Sequence, residues 1–217
     1  MDVAPSADPQ FWQRRIAERL RGSTARHERK DWVLPGLDAQ TSRTFERYWP
    51  EQPIPAAVLI PIILRDPAPT VLFTQRSAAL RHHAGQISFP GGRLESADAS
   101  PVDAALREAR EEVDLAPEFV TVIGYLPDHV IGSGFRVTPV VAFVRPGFSL
   151  VPDAREVEET FEVPLHYLFD RANFRKRLRQ YLPDLPPVEV NDIPVGERNI
   201  WGATAGMLMN LYRLCTE

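Results

Sequence analysis

Apolar positions along this chain change period several times. Ala56–Leu64 and Thr70–Gln75 are short, nearly continuous runs of aliphatic and β-branched residues, which predict buried strands. Arg65-Asp66-Pro67-Ala68-Pro69 separates them, so the two runs predict a hairpin with a longish turn. Phe119–Leu126 and Arg136–Val144 predict two further strands, with Gly132-Ser133-Gly134 marking a flexible loop between them. Elsewhere the period lengthens. Val102, Ala105, Leu106, Ala109 and Val113 fall at i, i+3, i+4, i+7 and i+11, which predicts a helix with one buried face. Met207, Leu208, Leu211 and Leu214 form one stripe of a second helix over Ala203–Leu214. Strands and helices mix without a regular βαβ rhythm, so an α/β domain with a mixed sheet is expected over a doubly wound fold.

Upstream of Ala56 the pattern weakens. Phe11, Ile16 and Leu20 could share one face of a short helix ringed by Arg14, Arg15, Arg19 and Arg21. The expectation is an amphipathic helix packed on the main domain, with a membrane or phosphate contact as the alternative. Trp32–Leu37 and the segment to Pro55 read as irregular, with room for one short helix. The chain therefore divides into an N-terminal extension, 1–50, and a main domain, 51–217. The 21 prolines cluster near the N-terminus, around Pro50–Pro69 and around Pro183–Pro194, and suggest long ordered loops.

Composition narrows the partners. A net charge of -4 disfavours a general nucleic-acid binder, but a local basic patch or a metal could still hold an anionic small molecule. The lone Cys215 excludes an intrachain disulfide, fits a reducing cytoplasm, and sits in an apolar helical context that suggests packing rather than nucleophilic chemistry. Ala56–Leu64 is far short of the roughly 20 apolar residues that cross a bilayer, and the arginine-rich Gln10–Arg21 lacks signal-peptide character. A cytoplasmic protein without membrane or nucleic-acid partners is expected.

The chemistry concentrates in Gly91-Gly92-Arg93-Leu94-Glu95, Asp98 and the helix that follows. Glu108 and Glu112 lie about 40° apart around a helix axis, and Glu111 about 60° to the other side of Glu108. Like charges at this spacing repel. A hard divalent cation would remove the repulsion, and sparse carboxylates with open positions suit Mg²⁺ or Mn²⁺. The competing reading is a solvated acidic face neutralised by Arg107 and Arg110. The preceding Phe89-Pro90-Gly91-Gly92 shifts the balance towards a site, because glycines let main chain approach a ligand closely.

These residues resemble the signature of the Nudix family. Gly92 begins it, and Arg107-Glu108-Ala109-Arg110-Glu111-Glu112-Val113-Asp114-Leu115 completes it. The loop is one residue longer than in the general signature, Asp98 stands where a glutamate is usual, and Asp114 replaces a glycine. Leu72-Phe73-Thr74-Gln75-Arg76-Ser77, Arg81, Gly85 and Phe89-Pro90-Gly91-Gly92 resemble an additional motif of the coenzyme A pyrophosphatase branch, as do the longer loop, Val137–Val141 and Ile200–Thr204.

The resemblance implies an α/β/α sandwich with a mixed central sheet. It also implies metal-dependent cleavage of coenzyme A or an acyl derivative to 3′,5′-ADP and 4′-phosphopantetheine. Glu108 and Glu112 would be the primary metal ligands, Glu111 an additional one, and Arg107 would orient a glutamate by salt bridge. Arg76, Arg81, Gly85, Phe89, Gly91 and Gly92 would bind substrate. Arg81 is equally compatible with an ion pair to a glutamate of the signature, and His82 and His83 fit a loop surface or channel wall. Glu156, within Arg155-Glu156-Val157-Glu158-Glu159, is the candidate general base, against the alternative that this run solvates a loop. Two other functions stay open: hydrolysis of another nucleoside diphosphate such as ADP-ribose, and a non-catalytic nucleotide-sensing module. A homodimer is compatible with all of them.

Overall fold

The computed structural model describes residues 10–80, 83–180 and 187–216. Its helices are α1 (Phe11–Leu20), α2 (Ala39–Arg43), α3 (Pro101–Val113), α4 (Leu165–Leu168) and α5 (Gly202–Thr216). Its strands are β1 (Ile54–Ile63), β2 (Thr70–Arg76), β3 (Ile87–Ser88), β4 (Gly91–Arg93), β5 (Val120–Tyr125), β6 (His129–Val130), β7 (Phe135–Val144), β8 (Val157–Pro164), β9 (Arg175–Arg179), β10 (Val188–Val195) and β11 (Arg198–Ile200).

The main sheet runs β3-β2-β1-β7-β5, with β4 also on β1, β6 on β7 and β8 on β2. β1 and β7 are parallel along their whole lengths, and the other pairings are antiparallel, so the sheet is mixed as expected. The β1–β2 hairpin closes with Ile62 opposite Val71 and Ile63 opposite Thr70.

Both faces of β1 are covered, which explains its unbroken apolar run. Ala57, Leu59 and Ile63 face Ala104, Ala105, Ala109 and Val113 of α3. Ala56, Ile60 and Ile62 face the opposite core, built with Trp12, Ile16 and Leu20 of α1 and Met207, Leu208 and Leu211 of α5. The result is helices on both faces of one sheet.

α1 lies on α5, where Arg15 Nε donates to the carbonyl of Cys215 at 2.9 Å. Trp12 joins its buried face beside Ile16 and Leu20. Trp32, Leu34, Leu37, Phe45 and Trp49 close a third apolar cluster over Val130 and Val190. α5 approaches this segment so closely that a Cβ at Gly206 would lie 2.7 Å from Pro35. Cys215 is buried and its thiol is pushed up to about 12, chiefly by burial, as expected of a packing residue.

Two expectations need correction. The proline-rich stretch ending at Pro194 is not all loop: Val188–Val195 pairs with β9 and β11 in a second, three-stranded sheet. Pro194 faces Asn199 near the end of that ladder, where a missing N–H is tolerated. The acidic run after Arg155 is likewise no loop beyond its start, since Val157–Pro164 pairs along β2.

Candidate active site

α3 begins where Ser100 accepts a hydrogen bond from the Asp103 N–H at 3.3 Å and Pro101 takes the first helical position. It ends at Asp114, which adopts the left-handed conformation at φ 59 and ψ 29. The signature's usual glycine suits that conformation, and aspartate tolerates it better than most residues. With Ala105, Ala109 and Val113 turned to the sheet, Glu108 and Glu112 fall on the flank that meets β4.

There the glycines act by close approach. Gly91 N–H donates to Glu112 Oε2 at 3.2 Å, and a Cβ on Gly92 would run into the Glu108 carboxylate. The two acids therefore face one strip of backbone. Neither is freely exposed, unlike the solvated acidic face of the competing reading: Glu112 is 4% and Glu108 16% exposed. The apolar contacts of the neighbouring helix positions draw both inward.

Burial raises the Glu112 carboxyl to about 8. The Gly91 N–H and Arg76 oppose this, while repulsion from Glu108 and Glu156 adds to it. Burial also raises Glu108, against the pull of Arg107. Glu111 stands apart, 60% exposed, with Oε2 at 3.1 Å from Arg107. In its place Glu156 contributes to the field at both inner carboxyls from the mouth of β8, where its main chain is held by Ser77 and Asp153.

Arg107 holds this arrangement together. Its Nη1 donates to Glu108 at 3.0 Å and to Glu111 at 3.1 Å, and its Nη2 to the Arg93 carbonyl at 3.0 Å. Nε and Nη2 form a fork on Asp98, at 3.2 and 2.9 Å. Asp98 is thus the anchor of the longer loop, and Arg107 keeps its carboxyl below the ordinary value. Its position in the signature hinted at importance, but only the fold reveals this partner.

Beside the acids opens a cavity of about 440 Å³. Arg76, Phe89 and Gly91 line it, with Trp201, Met207 and Arg179 among its other walls. Arg76 Nη1 lies 3.8 Å from Glu112, an ion pair to an acid of the signature. Arg81 and His82 lie outside the described residues. His83 does line the cavity, and its Nδ1 is 2.9 Å from Gln86 Oε1.

Gly85 is not in the wall: at φ 69 it returns the loop to β2 by donating to the Arg76 carbonyl. Gly92 faces Glu108 instead. Glu159, the other acid considered in its run, is engaged by Arg198 at 2.7 to 2.9 Å. Trp201 and Arg179 escaped notice as wall residues because they belong to the second sheet and its junction with α5, which periodicity did not reveal.

The NUDIX domain profile matches residues 53–185. The chain belongs to the Nudix family. Among curated relatives, it is 42% identical over 164 residues to the uncharacterized Nudix hydrolase NudL of Pectobacterium atrosepticum, covering 72% of this chain and 80% of that one. It is 44% identical over 161 residues to a Klebsiella pneumoniae protein of the same description, with the same coverage. Among solved structures, the Nudix hydrolase RenU of M. smegmatis aligns with 74% of this chain and 84% of its own at 22% identity and a TM-score of 0.48.

As a Nudix hydrolase the chain acts on pyrophosphate bonds, and its family generally uses a divalent cation. No helix among the described residues is long and apolar enough to cross a membrane.

Proposed function

We propose that this Nudix hydrolase cleaves the diphosphate of coenzyme A or an acyl derivative, releasing 3′,5′-ADP and 4′-phosphopantetheine or its acyl form. The observation that carries the proposal is where the branch-specific residues fall. Arg76, Phe89 and Gly91 of that motif line the large cavity, and Arg76 and Gly91 also touch Glu112. The motif thus joins a pocket for an extended substrate to the acids of the general signature.

The residues present fit a divalent cation. Among the described residues no three His, Cys, Asp or Glu side chains form a ready-made metal cage. A cage is not required: Mg²⁺ is commonly held by one or two carboxylates together with waters and substrate phosphates. Glu112 is buried and Glu108 half-buried, and the repulsion from Glu108 that Glu112 feels would be relieved by a dication. They would hold Mg²⁺ or Mn²⁺, with Glu111 as an additional ligand. The bound cation would neutralise diphosphate charge and make a water more acidic.

The protein's own groups do the rest. Arg107 positions Glu108 and Glu111 while Asp98 holds Arg107. Glu156, exposed at the mouth of the site, takes the proton of the attacking water. Arg76 steadies a phosphate against the cavity wall, and Arg81 grips the ribose 3′-phosphate. The lone buried Cys215 is compatible with the cytoplasmic setting we assign to the reaction.

Mass spectrometry after incubation with coenzyme A and Mg²⁺ tests the proposal. The expected products are 3′,5′-ADP and 4′-phosphopantetheine, with none formed in EDTA. Preference for ADP-ribose by a wide margin would reject the branch assignment. Binding of nucleotides without turnover would indicate a sensing module.

A further inference from the structure

One indole stands apart from the other tryptophans. Trp12, Trp32 and Trp49 are buried, whereas Trp201 is 36% exposed and lines the cavity beside the acids. So large an apolar ring in a cavity wall forgoes burial that its three counterparts have. Trp201 also lies beyond residue 185, where the family match ends, so pyrophosphate chemistry common to the family does not account for it.

The ring is braced. The Arg177 guanidinium stands over it, 5.6 Å from the centroid, where the ring quadrupole attracts a cation. Asp192 tethers Arg177 at 3.3 Å and also accepts from Asn199 at 3.2 Å. The indole thus meets the cavity as a fixed aromatic wall. A second guanidinium stands next to it: a Cβ on Gly202 would lie 4.0 Å from Arg179 Nη1, and Arg179 lines the same cavity.

An aromatic face with cationic neighbours suits a flat π-system that carries phosphates. Of the two halves of coenzyme A, only the 3′,5′-ADP half has both. The pantetheine arm is an uncharged amide chain and calls for neither. The same cavity reaches Glu112 through Arg76 and Gly91, so a nucleotide held at Trp201 is joined to the acids by one continuous space.

We propose that Trp201 is the platform on which the adenine of the substrate stacks, with Arg179 beside it for the phosphates that flank the adenosine. The proposal rests on the coenzyme A reading above and deepens it. The junction of the second sheet with α5 then selects the nucleotide half, while the acids of α3 serve the diphosphate.

The test uses the full chain with Mg²⁺ and two separate ligands, 3′,5′-ADP and 4′-phosphopantetheine. Stacking should quench the tryptophan fluorescence of the wild type with 3′,5′-ADP, and Trp201→Phe should abolish that quenching. By calorimetry, Trp201→Leu should weaken 3′,5′-ADP about tenfold or more and leave 4′-phosphopantetheine unchanged. Trp201→Phe keeps a π-face and should restore most of the lost affinity. Because the side chain is partly exposed, the fold should tolerate both variants.

Equal losses on both ligands would mean that the ring only supports the wall, and they overturn the proposal. Quenching by 4′-phosphopantetheine alone, or no binding of 3′,5′-ADP, also overturns it. Neither ligand needs to be hydrolysed. Binding of 3′,5′-ADP that depends on Trp201 therefore supports the platform even if coenzyme A is not cleaved. Unchanged binding in Trp201→Leu overturns it even if coenzyme A is.

Discussion

At the residue scale, a buried acid, Glu112, and a half-buried one, Glu108, face a single strip of glycine backbone. Substituting either Glu108 or Glu112 by Gln keeps shape and hydrogen bonding but removes the charge that a cation needs. Each variant should lose about a hundredfold or more of kcat, since even groups one shell further from a metal cost roughly 10–100-fold. Mg²⁺ should raise the melting temperature of the wild type and not of Glu112→Gln, a readout independent of turnover.

Glu112 also predicts a pH dependence for the metal-free protein. Its carboxyl is raised from 4.5 to about 8, chiefly by burial. Between those values the native state keeps a proton that the unfolded chain releases. This contribution is fully present below about pH 4.5 and is lost as pH rises through about 8. In EDTA, Glu112→Gln should match the wild type near pH 5 and exceed it near pH 8, as read from urea midpoints. A wild type that stays equal to the variant at both pH values would contradict the burial argument. Glu156→Gln should lower kcat by roughly 10²–10⁴-fold with little change in KM, the usual worth of a positioned base. Retained activity would move the role to Glu111, since Arg198 already engages Glu159.

At the scale of elements, α3 was readable from sequence because its apolar period, cap and charges agree. Its C-terminus carries a testable conflict. Asp114 pays the left-handed penalty that a glycine would avoid, and its ion pair with Arg110 at 3.1 Å is too exposed to offset much of it. Asp114→Gly should raise stability by about 0.5–1 kcal/mol by urea denaturation, with kcat unaltered. The hairpin strands and β7 were legible for the same reason: both faces are buried, so the apolar run is continuous. β8 was not, because Glu158, Glu159 and Glu162 break its apolar alternation. Only the fold supplies their partners, Arg198 for Glu159 and Arg65 for Glu162. β10 was hidden by Pro194 within it and by the prolines that precede it. The candidate site divides the same way: the acids of α3 follow from spacing, whereas Asp98 beneath Arg107 and Trp201 in the cavity wall depend on contacts distant in sequence.

At the scale of the whole molecule, one residue links the N-terminal segment, the sheet and α5. His129, on β6, is fully buried and bridges to Val33. Its Nδ1 lies 2.9 Å from the Pro127 carbonyl and its Nε2 3.1 Å from Asn210 Nδ2. The carbonyl can only accept and the amide nitrogen can only donate, which fixes a neutral ring protonated at Nδ1. Burial lowers its pKa from 6.5 to about 4. Between those values the unfolded chain takes up a proton that the native ring refuses. The contribution is therefore fully present above about pH 6.5 and lost as pH falls through 4. At about 1.4 kcal/mol per unit, acidification from pH 7.5 to 5 should remove about 2 kcal/mol through this residue. The effect runs opposite to that of Glu112, so the two are separable. His129→Gln lowers stability at every pH by disturbing the packing, which makes the slope the diagnostic quantity. Urea midpoints measured from pH 7.5 to 5 should fall less steeply in the variant than in the wild type. Parallel slopes would mean that His129 is protonated within the fold, and the neutral ring between Pro127 and Asn210 would be wrong.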